Sequence, residues 1–188
     1  MALTQPVPFP YDIDWSERFI EVREHETTIQ EMWNGAEQRR NLSEVPNRQF
    51  SYRILALEIE HDEFQRLQAA LYGGHALEWW VPYWPRERRI SAPVSIGATS
   101  IPTGSTTHLG YAADQAVLFY RSPARYEVTL VTAVNPTDVT ISPTTLDWTT
   151  RDKIVPCFRA LMSPETEIVT LDVHLASTRV TFDLVIAE

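Results

Sequence analysis

The stretch that decides the fold is residues 48–59, which read Arg-Gln-Phe-Ser-Tyr-Arg-Ile-Leu-Ala-Leu-Glu-Ile. Apolar side chains recur at every second position from Phe50 to Ile54, with polar residues between them. This period of two is typical of a β-strand that turns one face to a core. From Leu55 onward the apolar set shifts by one residue, which predicts a β-bulge at Ile54–Leu55.

A second alternating segment, residues 167–188, predicts a hairpin. Apolar and polar residues alternate on both sides of Ala176-Ser177-Thr178, which predicts the turn at that tripeptide. Both arms of the hairpin have the same period as residues 48–59. We therefore expect the hairpin to pair into the sheet that residues 48–59 begin.

Working outward, short β-like segments separated by turn residues fill positions 90–160 and predict an inserted small β-barrel. The clearest of them is 126–134. Residues 17–89 and 161–188 then form one main β domain. Three prolines in residues 1–16 predict an extended N-terminal arm, which we expect to lie along another surface, for instance that of a neighbouring subunit.

One short α-helix is predicted over residues 62–72, because Asp62 can cap its start and Gly73-Gly74 can end it. The predicted fold class is therefore mostly β. It has one main β domain, one short α-helix and an inserted small β-barrel.

The composition narrows the classes of function. The formal net charge is -9 and the sequence pI is about 5.0, which argues against broad binding of a phosphate backbone. Cys157 is the single cysteine, so no intrachain disulfide is possible. The N-terminus does not resemble a signal peptide, and no apolar run approaches the roughly 20 residues that span a bilayer. We expect synthesis in a cytoplasm and no membrane insertion.

Residues that could support catalysis or bind metal do not fall into recognisable spacings. Cys157, between Pro156 and Phe158 in a predicted strand, is interpreted as a buried hydrophobe rather than a nucleophile. The histidines form no metal-ligand spacing, and the carboxylates two residues apart lie in strand-like segments where such pairs arise by chance. We predict no catalytic residue, no cofactor and no metal; the chain is expected not to be an enzyme.

The aromatic segment around residue 80 is a candidate contact surface. Trp79 and Tyr83 would point to one side of a strand, and Trp80 and Trp84 to the other. One face must fill a core. The face with Trp80 and Trp84 is the candidate subunit interface, and the alternatives are complete burial or a platform that stacks on sugar rings.

A second candidate surface is the segment Gly35-Ala36-Glu37-Gln38-Arg39-Arg40. The planar guanidinium group pairs with carboxylates through two parallel hydrogen bonds, which suits contacts across an interface. The candidate interface residues here are Gly35, Glu37, Gln38, Arg39 and Arg40. The alternative is a solvated charged loop.

The order of these segments resembles the distal tail proteins of siphophages and gene-transfer agents. A G-x-E-x-R turn at Gly35–Arg39 is followed by an aromatic strand, a helix, a glycine-containing turn and the strand Trp79–Pro85, rich in tryptophan and proline. Residues 33–86 carry most of the resemblance.

The resemblance implies that residues 17–89 and 161–188 are a ring-forming β-sandwich or barrel belt domain. It also implies a homo-oligomeric ring, typically a hexamer, at the tail tip of a virion. Such a ring joins the tail tube protein to hub, baseplate or fibre proteins. DNA passes through its lumen without specific binding, and the ring catalyses no reaction. The alternative function is a host-surface carbohydrate-binding module that uses the strand from Trp79 to Trp84.

Overall fold

The computed structural model describes residues 6–24, 27–31, 37–41, 47–57, 78–103, 105–106, 110–163, 168–172 and 175–185. Within these ranges the chain is mostly β, as predicted, and its helical structure is one short 3-10 helix at Trp84–Arg86. The α-helix predicted at 62–72 lies outside the described residues. No helix in the described part of the chain is long and apolar enough to cross a membrane.

The described part of the chain contains fourteen strands. They are β1 (Val7–Pro8), β2 (Ile20–Glu24), β3 (Thr27–Glu31), β4 (Glu37–Asn41), β5 (Asn47–Leu57), β6 (Glu78–Pro82), β7 (Arg88–Arg89), β8 (Ser100–Pro102), β9 (Ala116–Ser122), β10 (Arg125–Val134), β11 (Asp138–Ile141), β12 (Lys153–Met162), β13 (Ile168–Asp172) and β14 (Leu175–Leu184).

Strand β12 is the junction of the fold. The main sheet has the order β2-β5-β14-β12-β9-β10-β11-β8. The first half of β12, Lys153–Cys157, pairs with β9, and β7 pairs with its first two residues. Its second half pairs with β6 and β14. β12 therefore joins two parts of the sheet, one that contains β7 and β9 and one that contains β6 and β14.

The predicted pairing of the C-terminal hairpin with residues 48–59 is confirmed. β14 pairs antiparallel with β5 from Gln49 to Leu57 without a register shift, so the bulge predicted at Ile54–Leu55 is absent from this pairing. An unbroken ladder leaves no unpaired backbone group, and this outweighs the local slip in the apolar pattern.

The turn of that hairpin lies earlier than predicted. Asp172 of β13 already pairs with Leu175 of β14, and Ala176-Ser177-Thr178 continues β14. β14 is hydrogen-bonded to β13 on one side and to β5 on the other, and Ser177 and Thr178 are buried. Pairing on both edges overrides the weak turn preference of alanine, serine and threonine.

Two hydrophobic cores lie on opposite faces of β9. Ala116, Leu118 and Tyr120 point into the first core, and Val117 and Phe119 into the second. The first core also takes aromatic side chains from β5, β6 and β14, whereas the second is built from residues between Ile90 and Ile154. Because β9 and β12 serve both cores, the domain boundaries at residues 90 and 160 stay a prediction.

The N-terminal residues complete a ring of strands around the first core. β6 pairs with β12, β12 with β14, and β14 with β5. The segment 7–17, called here the closing segment, joins the two free ends of this series. Its start, β1, pairs in parallel with β6, and Ile13 forms an antiparallel bridge with Ile54 of β5. The surface along which the predicted arm lies is therefore this chain's own first core.

Candidate interaction surface

The aromatic strand is not a contact surface. Trp80 and Trp84 are 6% and 0% exposed and belong with Trp79 to the first core. The interface and sugar-platform predictions for Trp80 and Trp84 are corrected accordingly. The physical reason is that Trp80 packs into the first core, while Trp84 lies beyond β6 in the 3-10 helix and packs edge-to-face against Tyr120 of β9. The burial of all three tryptophans agrees with the alternative in which the segment is completely buried.

The predicted charged loop is a strand over most of its length. Glu37, Gln38, Arg39 and Arg40 lie on β4, with Arg39 opposite Ile29 and Arg40 opposite Thr28 on β3. Gly35 lies outside the described residues. Antiparallel pairing satisfies the backbone groups of the segment, which a solvated turn would leave to water. Among the described strands, β3 and β4 pair only with each other. Their role at an interface stays a prediction.

A network of paired charges fixes the closing segment to the outer face of β5 and β14. The Glu17 carboxylate accepts a hydrogen bond from Arg53 Nη1 at 2.6 Å and another from the Arg179 guanidinium group. Arg53 Nε donates to Ser177 Oγ, and the guanidinium group lies 3.7 Å from Asp14. Hydrogen bonds from Arg53 hold the pKa of Glu17 below its usual value, so the carboxylate stays ionised.

Polar pairs continue along the same outer face of the sheet. Gln49 Nε2 donates to Asp183 Oδ1 at 2.8 Å, and Thr181 and Ser51 share a hydrogen bond at 3.2 Å. An open depression of about 390 Å³ lies at the end of this face. Its lining combines both charges with amides: Val22, Glu24, Asn47, Arg48, Gln49, Asp183 and Leu184. Polar residues dominate it, which suits a contact with a protein surface better than a buried apolar ligand.

A second charged cluster closes one end of the barrel. Glu21 accepts hydrogen bonds from Arg48 Nη2 at 2.9 Å, from Arg23 Nε at 2.7 Å and from the Tyr83 hydroxyl at 2.9 Å. The Arg48 guanidinium group also lies over the rings of Phe50 and Phe158. Burial alone would raise the pKa of Glu21, but these donors outweigh it and keep the pKa below its usual value. Glu21, Arg23 and Arg48 are therefore all paired with a group of opposite charge.

Lys153 anchors the middle of the closing segment. Its ammonium group lies 2.9 Å from the Glu87 carboxylate and 3.6 Å from that of Asp12. Burial raises the pKa of Asp12, and the positive charge of Lys153 opposes that shift. The closing segment therefore carries three carboxylates that pair with cations of the sheet. Asp12 pairs with Lys153, Asp14 with Arg53, and Glu17 with both Arg53 and Arg179.

Cys157 is buried, as predicted, in the first core. Burial raises the pKa of its thiol well above the usual range, so the reactive thiolate does not form near neutral pH. In the ranges that the structure describes, no three histidine, cysteine, aspartate or glutamate side chains gather as metal ligands. The five histidines, and the carboxylate pairs at residues 58, 60, 165 and 167, lie outside those ranges.

The sequence alone did not single out Glu17, Arg53 and Arg179. Arg53 is recognisable as a residue on the polar side of its strand, but its partners depend on the register of β5 against β14. The sequence does contain a signal that could have identified two of them. Both strands alternate apolar and polar residues, and each has an arginine at one of its polar positions. Aligning those two patterns would have brought Arg53 and Arg179 opposite each other, as they are in the sheet.

Comparison with known proteins does not assign this chain to a family. No protein-family model matches the sequence, and a search of curated proteins finds no match. The function is therefore argued from the fold and from the described surface.

Proposed function

We propose that this chain is a structural subunit of a phage tail tip, similar to distal tail proteins. Identical copies assemble into a cyclic ring, most simply a hexamer, in the virion. The ring joins the tail tube protein to hub, baseplate or fibre proteins, and it catalyses no reaction. Cyclic symmetry lets one pair of complementary surfaces on each copy close the assembly.

The observation that carries this proposal is the β3–β4 hairpin. Among the described strands it pairs with no other part of the sheet. A lone two-stranded hairpin is at best marginally stable in water and needs another surface to pack against. A neighbouring copy in a ring supplies such a surface. Consecutive positions of a strand alternate between its two faces, so one of Arg39 and Arg40 belongs to the face that meets this surface. Arginine is the cation best suited to paired recognition of carboxylates.

The outer face of β5 and β14 supports the same function. It presents charges of both signs, with Glu17, Arg53, Arg179 and Asp183 among polar neighbours. Such mixed faces contribute orientation and specificity to an interface, and the apolar contacts contribute more of the affinity. A ring needs specific orientation because a small angular error at each interface prevents closure.

The acidic balance of the chain suits a lumen through which DNA passes. The net charge of -9 repels a polyanion over distances of about a Debye length, roughly 8–10 Å at physiological salt. DNA then moves through the ring without adhering to it.

The test is the copy number of the chain in tail particles. Particles are purified from the source that encodes this sequence, and the chain is quantified by mass spectrometry against internal peptide standards. We expect several copies per particle, with six as the simplest value, and we expect an antibody to the chain to label the tail tip in electron micrographs. Absence from particles, or one copy per particle, would overturn the proposal.

Incorporation of hairpin variants tests the carrying observation. Arg39→Ala and Arg40→Ala are made separately, and incorporation into tails is measured beside that of Arg151→Ala, an exposed arginine in the second half of the chain. We expect at least one hairpin variant to incorporate poorly and the control to incorporate normally. Circular dichroism shows whether each purified variant is folded. Normal incorporation of both hairpin variants would remove this support.

A further inference from the structure

The only lysine of the chain lies between two carboxylates that come from different segments. Lys153, on β12, has its Nζ atom 2.9 Å from Glu87 Oε2 and 3.6 Å from Asp12 Oδ2. Glu87 directly follows the 3-10 helix, whereas Asp12 belongs to the closing segment. An ion pair needs only one carboxylate for each ammonium group. The second carboxylate is therefore available to accept a proton from Lys153.

The backbone holds the lysine and the aspartate in place. At Lys153, β12 is paired on one side with β7 and on the other with β9. The ammonium group lies 5.7 Å from the ring centre of the buried Trp84. Asp12 precedes Ile13, which is buried and forms the bridge to β5. Because both backbones are fixed by the fold, little further entropy is lost when the two side chains meet.

The two carboxylate oxygens of Asp12 have different surroundings. The backbone amide of Ile13 donates a hydrogen bond to Oδ1 at 2.9 Å, whereas Oδ2 faces Lys153. Burial raises the pKa of Asp12, which favours the neutral acid, the form that an amine attacks more readily. The amide at Oδ1 stabilises the negative charge that such an attack develops there. Oδ1 is thus placed as the carbonyl oxygen and Oδ2 as the leaving oxygen.

We propose that Lys153 and Asp12 form an isopeptide bond within the folded chain, with Glu87 as the proton-transfer group. Glu87 first carries one ammonium proton to Asp12 Oδ2, which gives a neutral amine and a neutral acid. Lys153 Nζ then attacks Asp12 Cγ, and an N–C bond forms. A second proton passes from Nζ through Glu87 to Oδ2, the Cγ–Oδ2 bond breaks, and water leaves. The third proton stays on the amide nitrogen, so no oxidant, reductant or second reactant is required.

The fold supplies the driving force for this condensation. A free amine and a free carboxylate do not condense in water, but groups held in contact react as if their concentration were about 10⁵–10⁸ M. The reaction occurs once in each chain and does not turn over, so it requires neither a substrate nor the proposed ring. Its product ties the closing segment covalently to β12, the strand that both cores share.

Mass spectrometry of the purified full chain tests the proposal. We expect the intact, denatured chain to be lighter than its sequence requires by the mass of one water molecule. After digestion with trypsin, the peptide that contains Lys153 should be joined to the peptide that contains Asp12. Because the chain has one lysine, fragmentation of this joined species identifies the bond without ambiguity. The fraction of chains that have lost water, followed over time, gives the extent of the reaction.

Four variants assign the roles of the three groups. Lys153→Arg and Asp12→Ala remove the nucleophile and the electrophile, so both should keep the full mass. Glu87→Gln keeps the size of the side chain but cannot carry the proton, and bond formation should slow at least about a hundredfold. Glu78→Gln is the matched control, because Glu78 is a half-buried carboxylate paired with Arg159 elsewhere on β12, and it should react fully. Circular dichroism shows whether each variant is folded.

The mass of the unmodified chain decides the proposal, whatever the variants do. A folded chain that keeps its full mass after prolonged incubation overturns the bond and leaves Lys153 in an ordinary ion pair. Loss of water that persists in Lys153→Arg or Asp12→Ala also overturns it, because another bond is then responsible. Loss of water at an unchanged rate in Glu87→Gln overturns the role of Glu87. These outcomes are independent of the copy number in tail particles, so they leave the proposed ring untouched.

Discussion

The two cores of this chain are assembled in different ways. The first is rich in aromatic side chains and is enclosed by segments that range from Phe9 to Phe182 in the sequence. The second is mainly aliphatic, and its buried members all lie between Ile90 and Ile154. The first therefore depends on contacts between distant segments, whereas the second forms from neighbouring strands. Both share β9 and β12, so a change in either strand affects both cores.

Polar groups support the two cores differently. Around the first core, ion pairs such as Glu17–Arg53 join separate segments at the surface. Around the second, buried carboxylates hold local turns: Glu127 accepts hydrogen bonds from two backbone amides and from Trp148 Nε1. Exposed ion pairs contribute little to stability, whereas buried acceptors with several donors contribute much more. The difference predicts which substitutions are most destabilising in each half.

The largest effect is expected from Phe9→Ala. Removing this ring opens a cavity among Trp79 and Phe182, and such substitutions cost about 3–5 kcal/mol. Denaturant unfolding, followed by the fluorescence of the buried tryptophans, measures the loss. The matched control is Val7→Ala in the same segment, at a more exposed position, which should cost less than about 1 kcal/mol. Equal losses for both variants would show that the closing segment does not complete the first core.

Glu127→Ala is expected to have the next largest effect. It leaves the buried Trp148 Nε1 and the partly buried amides of Thr145 and Leu146 without their acceptor, and donors left unpaired in this way cost about 2–3 kcal/mol in total after partial relaxation. The same unfolding measurement applies. Glu127→Gln keeps an acceptor oxygen and should lose clearly less. A loss below that of Val7→Ala would contradict the role assigned to this carboxylate.

Acid should weaken the second core through Asp152. Hydrogen bonds from Arg121, with help from Thr149, lower the pKa of Asp152 to about 2. A lowered pKa means that the stabilisation is present above the ordinary value of 3.8 and is lost as the pH falls toward about 2. With screening at the half-exposed Arg121, we expect about 1–2 kcal/mol. Thermal unfolding between pH 5 and pH 2.5 should depend less on pH in Asp152→Asn.

The control for the acid measurement is Asp114→Asn. Asp114 is exposed at a turn with φ of 64°, a conformation that asparagine also adopts readily. Its pH profile should match that of the unmodified chain. If Asp152→Asn also kept the full acid dependence, the loss of stability would have to come from other carboxylates.

The smallest effect is expected from Glu17→Gln. Its partners Arg53 and Arg179 remain solvated, so the isolated chain should show no resolvable change in its denaturation midpoint. Chemical denaturation at low and high salt measures this. A loss comparable with that of Phe9→Ala would mean that the ion pairs, rather than the apolar anchors, hold the closing segment.

Much of the fold could be predicted from the sequence, because period-two alternation is a local signal. Residues 126–134 fall within β10, and residues 48–59 match most of β5 and its pairing with β14. The closure of the first barrel could not be predicted, since it depends on the pairing of Pro8 with Trp80 across the chain. The residues around Pro8 and those around Trp80 contain no local pattern that predicts this pairing.

The candidate surface was harder to predict than the fold. The tryptophans on both sides of β6 led to the prediction that one face of the strand is free for a partner. The sequence does not show what packs against that face. Here Trp79 packs against Phe9 of the closing segment, and Trp80 belongs to the same buried first core. Arg53 and Arg179 were missed for the opposite reason, since each is an ordinary polar position until the strand register places them together.

The shared wall β9 has a consequence for the order of events during synthesis. All the buried residues of the second core have left the ribosome once Ile154 has emerged, and that core can begin to assemble. The first core is complete only after β14, the strand that pairs with both β5 and β12, has been made. During this interval Ala116, Leu118 and Tyr120 present an apolar face that β14 does not yet help to cover. The nascent chain thus passes through a half-built stage that invites binding by a chaperone until Phe182 arrives.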